Sequence, residues 1–388
     1  MRDMRTQVGI IGAGPAGLLL SHLLHRHGIE SVVLEARDRD YVQRRVRAGV
    51  LEQGTVDVLV KAGLGDRLLA QGLPHQGFEL RLGDEAHRID LTELTGGRNI
   101  TVYGQQEVVK DLIDARLADG GTVLFEKPVA SVHDLETAAP YIRCQDGTEV
   151  HCEFVVGADG FHGISRAAIP DARTYEFEFP FGWLGILADV QPSSEELIYA
   201  GGEGGFALHS MRSPEVTRCY LQVEPGDSVD NWPDERIWAE LRTRLGSPGG
   251  WELTPGPITE KSITPMRSFV TEPMSHGRLF LAGDSAHIVP PTGAKGLNLA
   301  VGDVVVLAAA LEASFQGDDS LLASYSDTCL RRIWKAQDFC AWMTGLLHRN
   351  PEADPFTERI RQSRLREIFG SPSMARYLAE HYAGYPHG

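Results

Sequence analysis

Cysteine is scarce in this chain of 388 residues: the five are Cys144, Cys152, Cys219, Cys329 and Cys340. None falls in a CxxC or CxxH spacing, so no structural zinc site and no other metal centre is expected. At this length a disulfide framework is not expected either, and a reducing cytoplasm is the simpler reading. Long apolar runs are not expected either. No stretch approaches the ~20 residues that cross a bilayer, and the N-terminus enters a strand without the apolar region of a signal peptide. Positive charge is in deficit. With 37 Lys and Arg against 53 Asp and Glu, the formal net charge is -16. A nucleic-acid backbone or an anionic membrane is therefore not expected as a partner. Small anionic ligands stay open, because a local cluster such as Arg44, Arg45 and Arg47 opposes the overall sign. No internal repeat or low-complexity linker interrupts the chain.

What is there reads as globular: 42% of residues are hydrophobic and 23% charged. The length suits two domains, or one large domain with an insertion. Residues 6–11 read as a short buried strand. A glycine-rich turn and an apolar helix to about His27 follow, with Gly28 as a natural helix stop. Residues 31–35 read as a second strand, which makes a βαβ opening on a parallel sheet. Between about Gln76 and Leu91, and again from Gly182 to Met266, short alternating runs suggest an antiparallel sheet. The expected fold class is α/β (α+β): a Rossmann-like dinucleotide domain interrupted by a β-sheet domain, with a helical C-terminal segment. The expected division is 1–75, 98–180 and 267–345 for the first, 76–97 and 181–266 for the second, and 346–388 for the tail.

Three motifs carry chemistry. Gly12-x-Gly14-x-x-Gly17, with Ala16 inside it, lies between the first strand and the first helix. Glycine lets a backbone turn tightly and approach a pyrophosphate, whose charge then meets the helix N-terminus. Glu35 ends the next strand, where a carboxylate can take both ribose hydroxyls of an adenosine. The second motif is Gly157-Ala158-Asp159-Gly160, followed by Ser165 and Arg166. The third is Gly283-Asp284-Ser285-Ala286-His287, then Pro290-Pro291-Thr292-Gly293-Ala294-Lys295-Gly296-Leu297-Asn298. It puts a carboxylate, Asp284, at a sheet edge to meet a ribitol hydroxyl. It then opens a helix whose N–H groups at Gly296 and Leu297 can face a flavin pyrimidine. A nicotinamide dinucleotide has neither ribitol nor flavin ring, so the three motifs in this order point to non-covalent FAD.

With these motifs in place the sequence resembles the single-component flavin aromatic hydroxylases. Further matching segments are Arg45 through Gly54, Val102-Tyr103-Gly104-Gln105, Asp159 through Arg166, Pro180 through Gly185, and Leu279 through Asn298. The resemblance runs over nearly the whole chain. It implies an NAD(P)H-dependent monooxygenase acting on a small aromatic acid with O2, by way of a flavin hydroperoxide. It also implies a homodimer.

The resemblance assigns roles residue by residue. Ser210, Arg212 and Tyr220 match the site for the substrate carboxylate, which suits the planar fork of an arginine. Tyr199 matches the contact to the substrate phenol, Tyr382 its relay partner, and His75 the outer end of the proton path. Pro291 matches the proline whose carbonyl faces the phenol. Arg218 and Asn298 match residues that position the flavin, and Gln105 and Asp159 join the cofactor set. Arg45, His162 and Arg267 are implied for the nicotinamide coenzyme, with Arg47 nearer the FAD pyrophosphate. After the acidic strand end, Ala36 through Tyr41 depart from the pattern of strict NADPH use: Arg37 or Arg39 suits a 2′-phosphate, whereas Asp38 and Asp40 repel one. The donor is therefore NADPH or NADH. A flavin disulfide reductase would share the first motif, but it needs a paired redox cysteine motif that is absent. A flavin-bound sensor would have no need of Tyr199 and Tyr382. Another hydroxylated aromatic acid is the competing substrate.

Overall fold

Buried Val and Ile set the first sheet. Val8–Ile11 is buried at every residue, as are Ser31–Leu34 and Phe154–Gly157. Strands covered on both faces read as continuous apolar runs, which is the mark of a parallel sheet between helices. The computed structural model describes residues 3–45 and 49–385. It places these strands in a six-stranded sheet in the order Ser275–His276, Leu279–Leu281, Phe154–Gly157, Val8–Ile11, Ser31–Leu34, Thr122–Leu124. All neighbours pair in parallel except the first two. Helix Pro15–Arg26 packs between Gln105–Ala118 and Gly296–Phe315. It stops at His27, and Gly28 takes φ 72°, the left-handed turn foreseen for it.

Gly296–Phe315 corrects one expectation. By length and composition this 20-residue helix is apolar enough to cross a membrane, contrary to the reading that no stretch approaches that length; most of it is buried inside the protein. It is apolar because it packs against Pro15–Arg26 on one side and Tyr325–Leu347 on another.

The second sheet has eight strands, in the order His287–Ile288, Ile258–Glu272, Arg173–Ala188, Val216–Val223, Gly205–Ser213, Leu197–Gly202, Gly77–Leu82, Glu85–Asp90. It is not wholly antiparallel as expected, since Leu197–Gly202 pairs with Gly77–Leu82 in parallel. That strand arrives from far upstream rather than through a hairpin, so nothing forces it to reverse. Arg173–Ala188 and Ile258–Glu272 pair over most of their lengths and run across positions 181 and 267. Their register shifts between Glu178 and Gly182, at Pro180, which cannot donate to a ladder.

Along Val216–Val223 burial alternates without a break. Thr217, Cys219, Leu221 and Val223 point to the back of the sheet, where Leu184, Ile186, Ile198 and Ala207 meet Ile237, Trp238, Leu241 and Leu245 of helix Asp234–Leu245. Arg218, Tyr220 and Gln222 point to the front. Two smaller sheets were not anticipated: Asp3–Arg5 with Glu149–His151, Tyr141–Cys144 and Val129–His133, and Val50–Glu52 with Ile100–Val102 and Leu73–His75. The C-terminal part is helical as expected, with Tyr325–Leu347, Pro355–Gly370 and Pro372–Ala383.

Candidate active site

The three glycines of the first motif each answer a different demand. Gly12 has φ 106°, and a Cβ there would lie 2.3 Å from the Ala158 carbonyl oxygen. The first motif thus packs on the second. A Cβ at Gly17 would meet the Gly12 oxygen at 2.0 Å, so the helix can approach the strand only through glycine. Gly14 has nothing within 4 Å and leaves the loop's outer side open. The third motif arrives beside them, because Leu279–Leu281 neighbours Phe154–Gly157 in the sheet. A Cβ at Gly283 would touch those of Ala300 and Ala16 at 3.2 and 3.5 Å. The parallel strands therefore bring all three motifs to one sheet edge, at the carboxyl ends where such folds bind nucleotides.

The carboxylates at that edge differ in what already holds them. Glu35 accepts the backbone N–H of Ala13 and of Arg37, each at 2.8 Å, so it braces the loop as well as facing outward. Asp159 accepts the Ser165 N–H and hydroxyl on Oδ2. Its Oδ1 is buried without a partner among the described residues, and burial raises its pKa. Asp284 is exposed in the turn Gly283–Ser285. An open glycine, an outward Asp and an unsatisfied carboxylate oxygen fit a hydroxyl-rich dinucleotide.

The front face of the eight-stranded sheet gathers the other predicted residues. Leu208 pairs with Tyr220 and with Tyr199, and Ser210 pairs with Arg218, so these side chains share one face. Arg212, two residues beyond Ser210, donates from Nη2 to Gln106 Oε1 at 2.7 Å. Burial, and then the nearby Arg218, lower its pKa; an arriving anion relieves both. Arg218 stacks over the Tyr220 ring at 5.1 Å, and its Nε and Nη1 are buried without partners among the described residues. Tyr220 fits because Gly185 opposite has no side chain: a Cβ there would meet the ring at 3.3 Å.

Tyr199 and Tyr382, 183 positions apart, meet with their hydroxyls at 2.6 Å, and both are 2% exposed. Burial raises both pKa values; the shared bond raises that of Tyr199 further and draws that of Tyr382 back. His75 is buried. It ends a strand, is 4% exposed, and neither ring nitrogen has a hydrogen-bond partner among the described residues. Burial lowers its pKa and keeps it neutral. Pro291 is exposed, and its carbonyl accepts the Ala294 N–H at 2.9 Å. Asn298, 2% exposed, ties three segments: Oδ1 accepts the Glu52 N–H, and Nδ2 donates to the Val50 and Ala294 carbonyls. Gly296 and Leu297 open the helix, as expected. Gln105 opens its own helix, Gln105–Ala118.

Of the nicotinamide set, His162 and Arg267 converge on Phe161, each about 5.0 Å from its ring centre. Arg45 caps the surface helix Arg39–Arg44. Arg47 lies outside the described residues.

A family described as the FAD binding domain matches residues 5–340. The p-hydroxybenzoate hydroxylase of Acinetobacter baylyi is 49% identical over 392 residues, covering 100% of this chain and 97% of that protein. The chain belongs to the FAD-dependent aromatic hydroxylases. The 3-amino-4-hydroxybenzoate 2-monooxygenase of Streptomyces cremeus is 26% identical over 409 residues, covering 100% of this chain and 98% of that one. Among solved structures, p-nitrophenol 4-monooxygenase from Pseudomonas putida DLL-E4 superposes with a TM-score of 0.82 at 18% identity, covering 99% of each chain. That likeness speaks for the fold.

Three residues of this hydroxylase join the site without having been assigned a role from sequence. Lys295, 5% exposed, donates to Glu52 Oε1 at 2.5 Å and to the Tyr382 carbonyl at 2.9 Å. Glu52 has room because position 384 is glycine: a Cβ there would lie 1.8 Å from Glu52 Oε2. Gln106 accepts from Arg212. A lysine inside a glycine-rich turn was the one available signal; its partner is 243 positions away.

Proposed function

We propose that this hydroxylase converts 4-hydroxybenzoate, O2, NADPH or NADH and a proton into 3,4-dihydroxybenzoate, water and the oxidised coenzyme. The observation that carries the reading is the buried Tyr199–Tyr382 hydroxyl pair on the same sheet face as Ser210 and Tyr220, with Arg212 within electrostatic reach of Tyr220. Tyr199 stands level with Leu208, two residues from Ser210. That is about 7 Å along a strand, which suits the two ends of a para-substituted ring.

Gly12–Gly17, Glu35, Asp159 and Asp284 would hold FAD, with Arg218 and Asn298 positioning it, and the bound cofactor would supply the activation of O2. The chain's own residues do the rest. Arg212, Ser210 and Tyr220 hold the carboxylate. The Tyr199 hydroxyl oxygen takes the substrate's phenolic proton as its own proton passes to Tyr382. A free phenol has a pKa of about 10, so without this transfer little of the electron-rich phenolate forms near neutral pH. His75 is the candidate for the next step outward; because burial disfavours its charged form, it would pass a proton on rather than hold it. The buried pair also keeps water from the ring. His162 and Arg267 beside Phe161 meet the coenzyme.

The test is a panel of hydroxybenzoates with both coenzymes. We expect 4-hydroxybenzoate to stimulate NAD(P)H oxidation and to give 3,4-dihydroxybenzoate in near-equal amount. Stimulation by another benzoate and none by the 4-isomer would overturn the substrate.

A further inference from the structure

His348 lies one residue past helix Tyr325–Leu347 and is 1% exposed. Both ring nitrogens are bonded, and the partners fix the proton. Nδ1 is 3.0 Å from the Thr344 carbonyl, which can only accept, so Nδ1 carries the hydrogen. Nε2 is 2.6 Å from Trp183 Nε1, and an indole N–H can only donate, so Nε2 keeps its lone pair. An imidazolium would set one N–H against another. Burial, opposed only in part by the Thr344 bond, accordingly holds the His348 pKa down at about 3.

The ring sits inside an aromatic column. It stacks on Phe206 at 4.2 Å and 22° and on Phe181 at 4.6 Å and 4°, and lies edge to edge with Trp183, 5.7 Å between centres and 17° from coplanar. The column reaches the site at two points. Trp183 lies 4.7 Å from the Tyr220 ring, and Phe206 lies 6.2 Å from the Tyr199 ring. The same helical turn grips the loop on the other side, because the Thr344 hydroxyl bonds that of Thr292, beside Pro291, at 2.9 Å. Among the described residues, His348 shows no hydrogen bond or ring contact with Ser210, Arg212, Tyr220, Tyr199 or Tyr382. It holds the rings that do, and through Thr344 it is linked to the Pro291 loop.

We propose that His348 is a positioning residue for substrate binding: as a neutral acceptor it anchors the Trp183 indole, which sets the Tyr220 ring at the carboxylate end of the pocket. This rests on the reading of Ser210, Arg212 and Tyr220 as that end. Packing alone would need only a flat ring or an apolar side chain at 348. Anchoring needs an acceptor aimed at the indole.

The experiment compares His348→Gln, His348→Leu, Trp183→Phe and the double variant Trp183→Phe/His348→Leu as holoenzymes. 4-Hydroxybenzoate affinity is read from the flavin absorbance change. His348→Leu is expected to weaken binding about tenfold, ~1.4 kcal/mol, with Trp183→Phe similar. The glutamine amide can accept from the indole and donate to Thr344, so His348→Gln should recover most of the loss. Adding His348→Leu to Trp183→Phe should cost nothing more, because residues acting through one contact are not additive. Leucine and glutamine variants that both bind like the parent, or single effects that add in full, would overturn the proposal. A second measurement needs neither substrate nor a folded leucine variant. In 15N-Trp-labelled parent, the Nε1–H resonance lost in Trp183→Phe should lie far downfield and exchange slowly. A rapidly exchanging resonance there overturns the anchor, even if 4-hydroxybenzoate is hydroxylated. A parent that binds a different benzoate overturns the substrate reading and leaves the indole result standing.

Discussion

The two faces of the eight-stranded sheet are built from the same strands and packed for opposite ends. On the back, Leu184, Ile186, Cys219 and Leu221 meet helix Asp234–Leu245 in a closed apolar core, every one of them 1% exposed or less. On the front, Ser210, Arg212, Arg218 and Tyr220 are only partly covered. There Arg218 keeps two buried nitrogens without partners among the described residues, and the Arg212 pKa is lowered. Buried polar groups are normally satisfied, so the front is costly to the fold by itself. The comparison teaches where stability and the proposed function separate: the back face holds the sheet, and the front face carries polar groups, two Arg218 nitrogens among them, that the fold leaves without partners among the described residues.

The largest expected effect that would break or sharpen this contrast is at Tyr199. Tyr199→Phe keeps the ring and deletes the hydroxyl that meets Tyr382. General acid–base help is worth ~10²–10⁴-fold, so product formation should fall by that order. NAD(P)H should still be consumed, with hydrogen peroxide replacing product. The measurement is 3,4-dihydroxybenzoate formed per NAD(P)H oxidised; a ratio and rate equal to the parent's would remove the relay from the mechanism.

Next in size is the back face. Leu241→Ala, at a residue with 0% exposure, should cost ~2–5 kcal/mol of unfolding free energy through lost burial and a cavity. Because the change lies behind the sheet, the folded holoenzyme should bind 4-hydroxybenzoate as the parent does. Denaturant unfolding and ligand titration together decide it. A tenfold loss of affinity at unchanged stability would mean that the faces are not separable.

Arg212→Lys comes third. It keeps a positive charge and loses the planar fork and the bond to Gln106. Hydrogen bonds to charged groups contribute roughly 1.5–3 kcal/mol, so 4-hydroxybenzoate should bind about one to two orders of magnitude more weakly. Stability should change little, which is the mirror image of Leu241→Ala. Unchanged affinity would move the carboxylate elsewhere on the front face.

Much of this was legible in the sequence, and the reason is local. Gly12, Gly14 and Gly17 are demanded by a turn, an open approach and a close contact within a few residues of one another, so spacing alone reveals them. Val216–Val223 alternates strictly in burial, in keeping with the alternating runs expected between Gly182 and Met266. What stayed hidden depends on pairings far apart in the chain. Lys295 needs Glu52 across 243 positions, and His348 needs Trp183 across 165. The parallel seating of Gly77–Leu82 has no local signature. Residues 173–180 were left out of their strand because Pro180 breaks the pattern and the face is exposed. The apolar helix Gly296–Phe315 was passed over as a continuous run because small and polar residues punctuate it.

The smallest expected effect lies in the tail, where two tyrosines three positions apart compete for one role. Tyr382 is 2% exposed and bonded to Tyr199; Tyr385 is 40% exposed. The Tyr385 ring lies against the Lys335 ammonium at 3.7 Å and near the Arg98 guanidinium at 5.5 Å. Phenylalanine retains the face that attracts a cation, and exposed substitutions usually stay within about 0.5 kcal/mol. Tyr385→Phe should therefore leave thermal stability, affinity and the product ratio near those of the parent. Tyr382→Phe should instead leave the Tyr199 hydroxyl without its partner and divert NAD(P)H oxidation to peroxide, a defect of the same kind as Tyr199→Phe. Measured side by side, the two variants test the register of the last helix against the front face. Diversion in Tyr385→Phe together with normal coupling in Tyr382→Phe would transfer the relay to the wrong tyrosine for this structure, and would undo the assignment of Tyr199 with it.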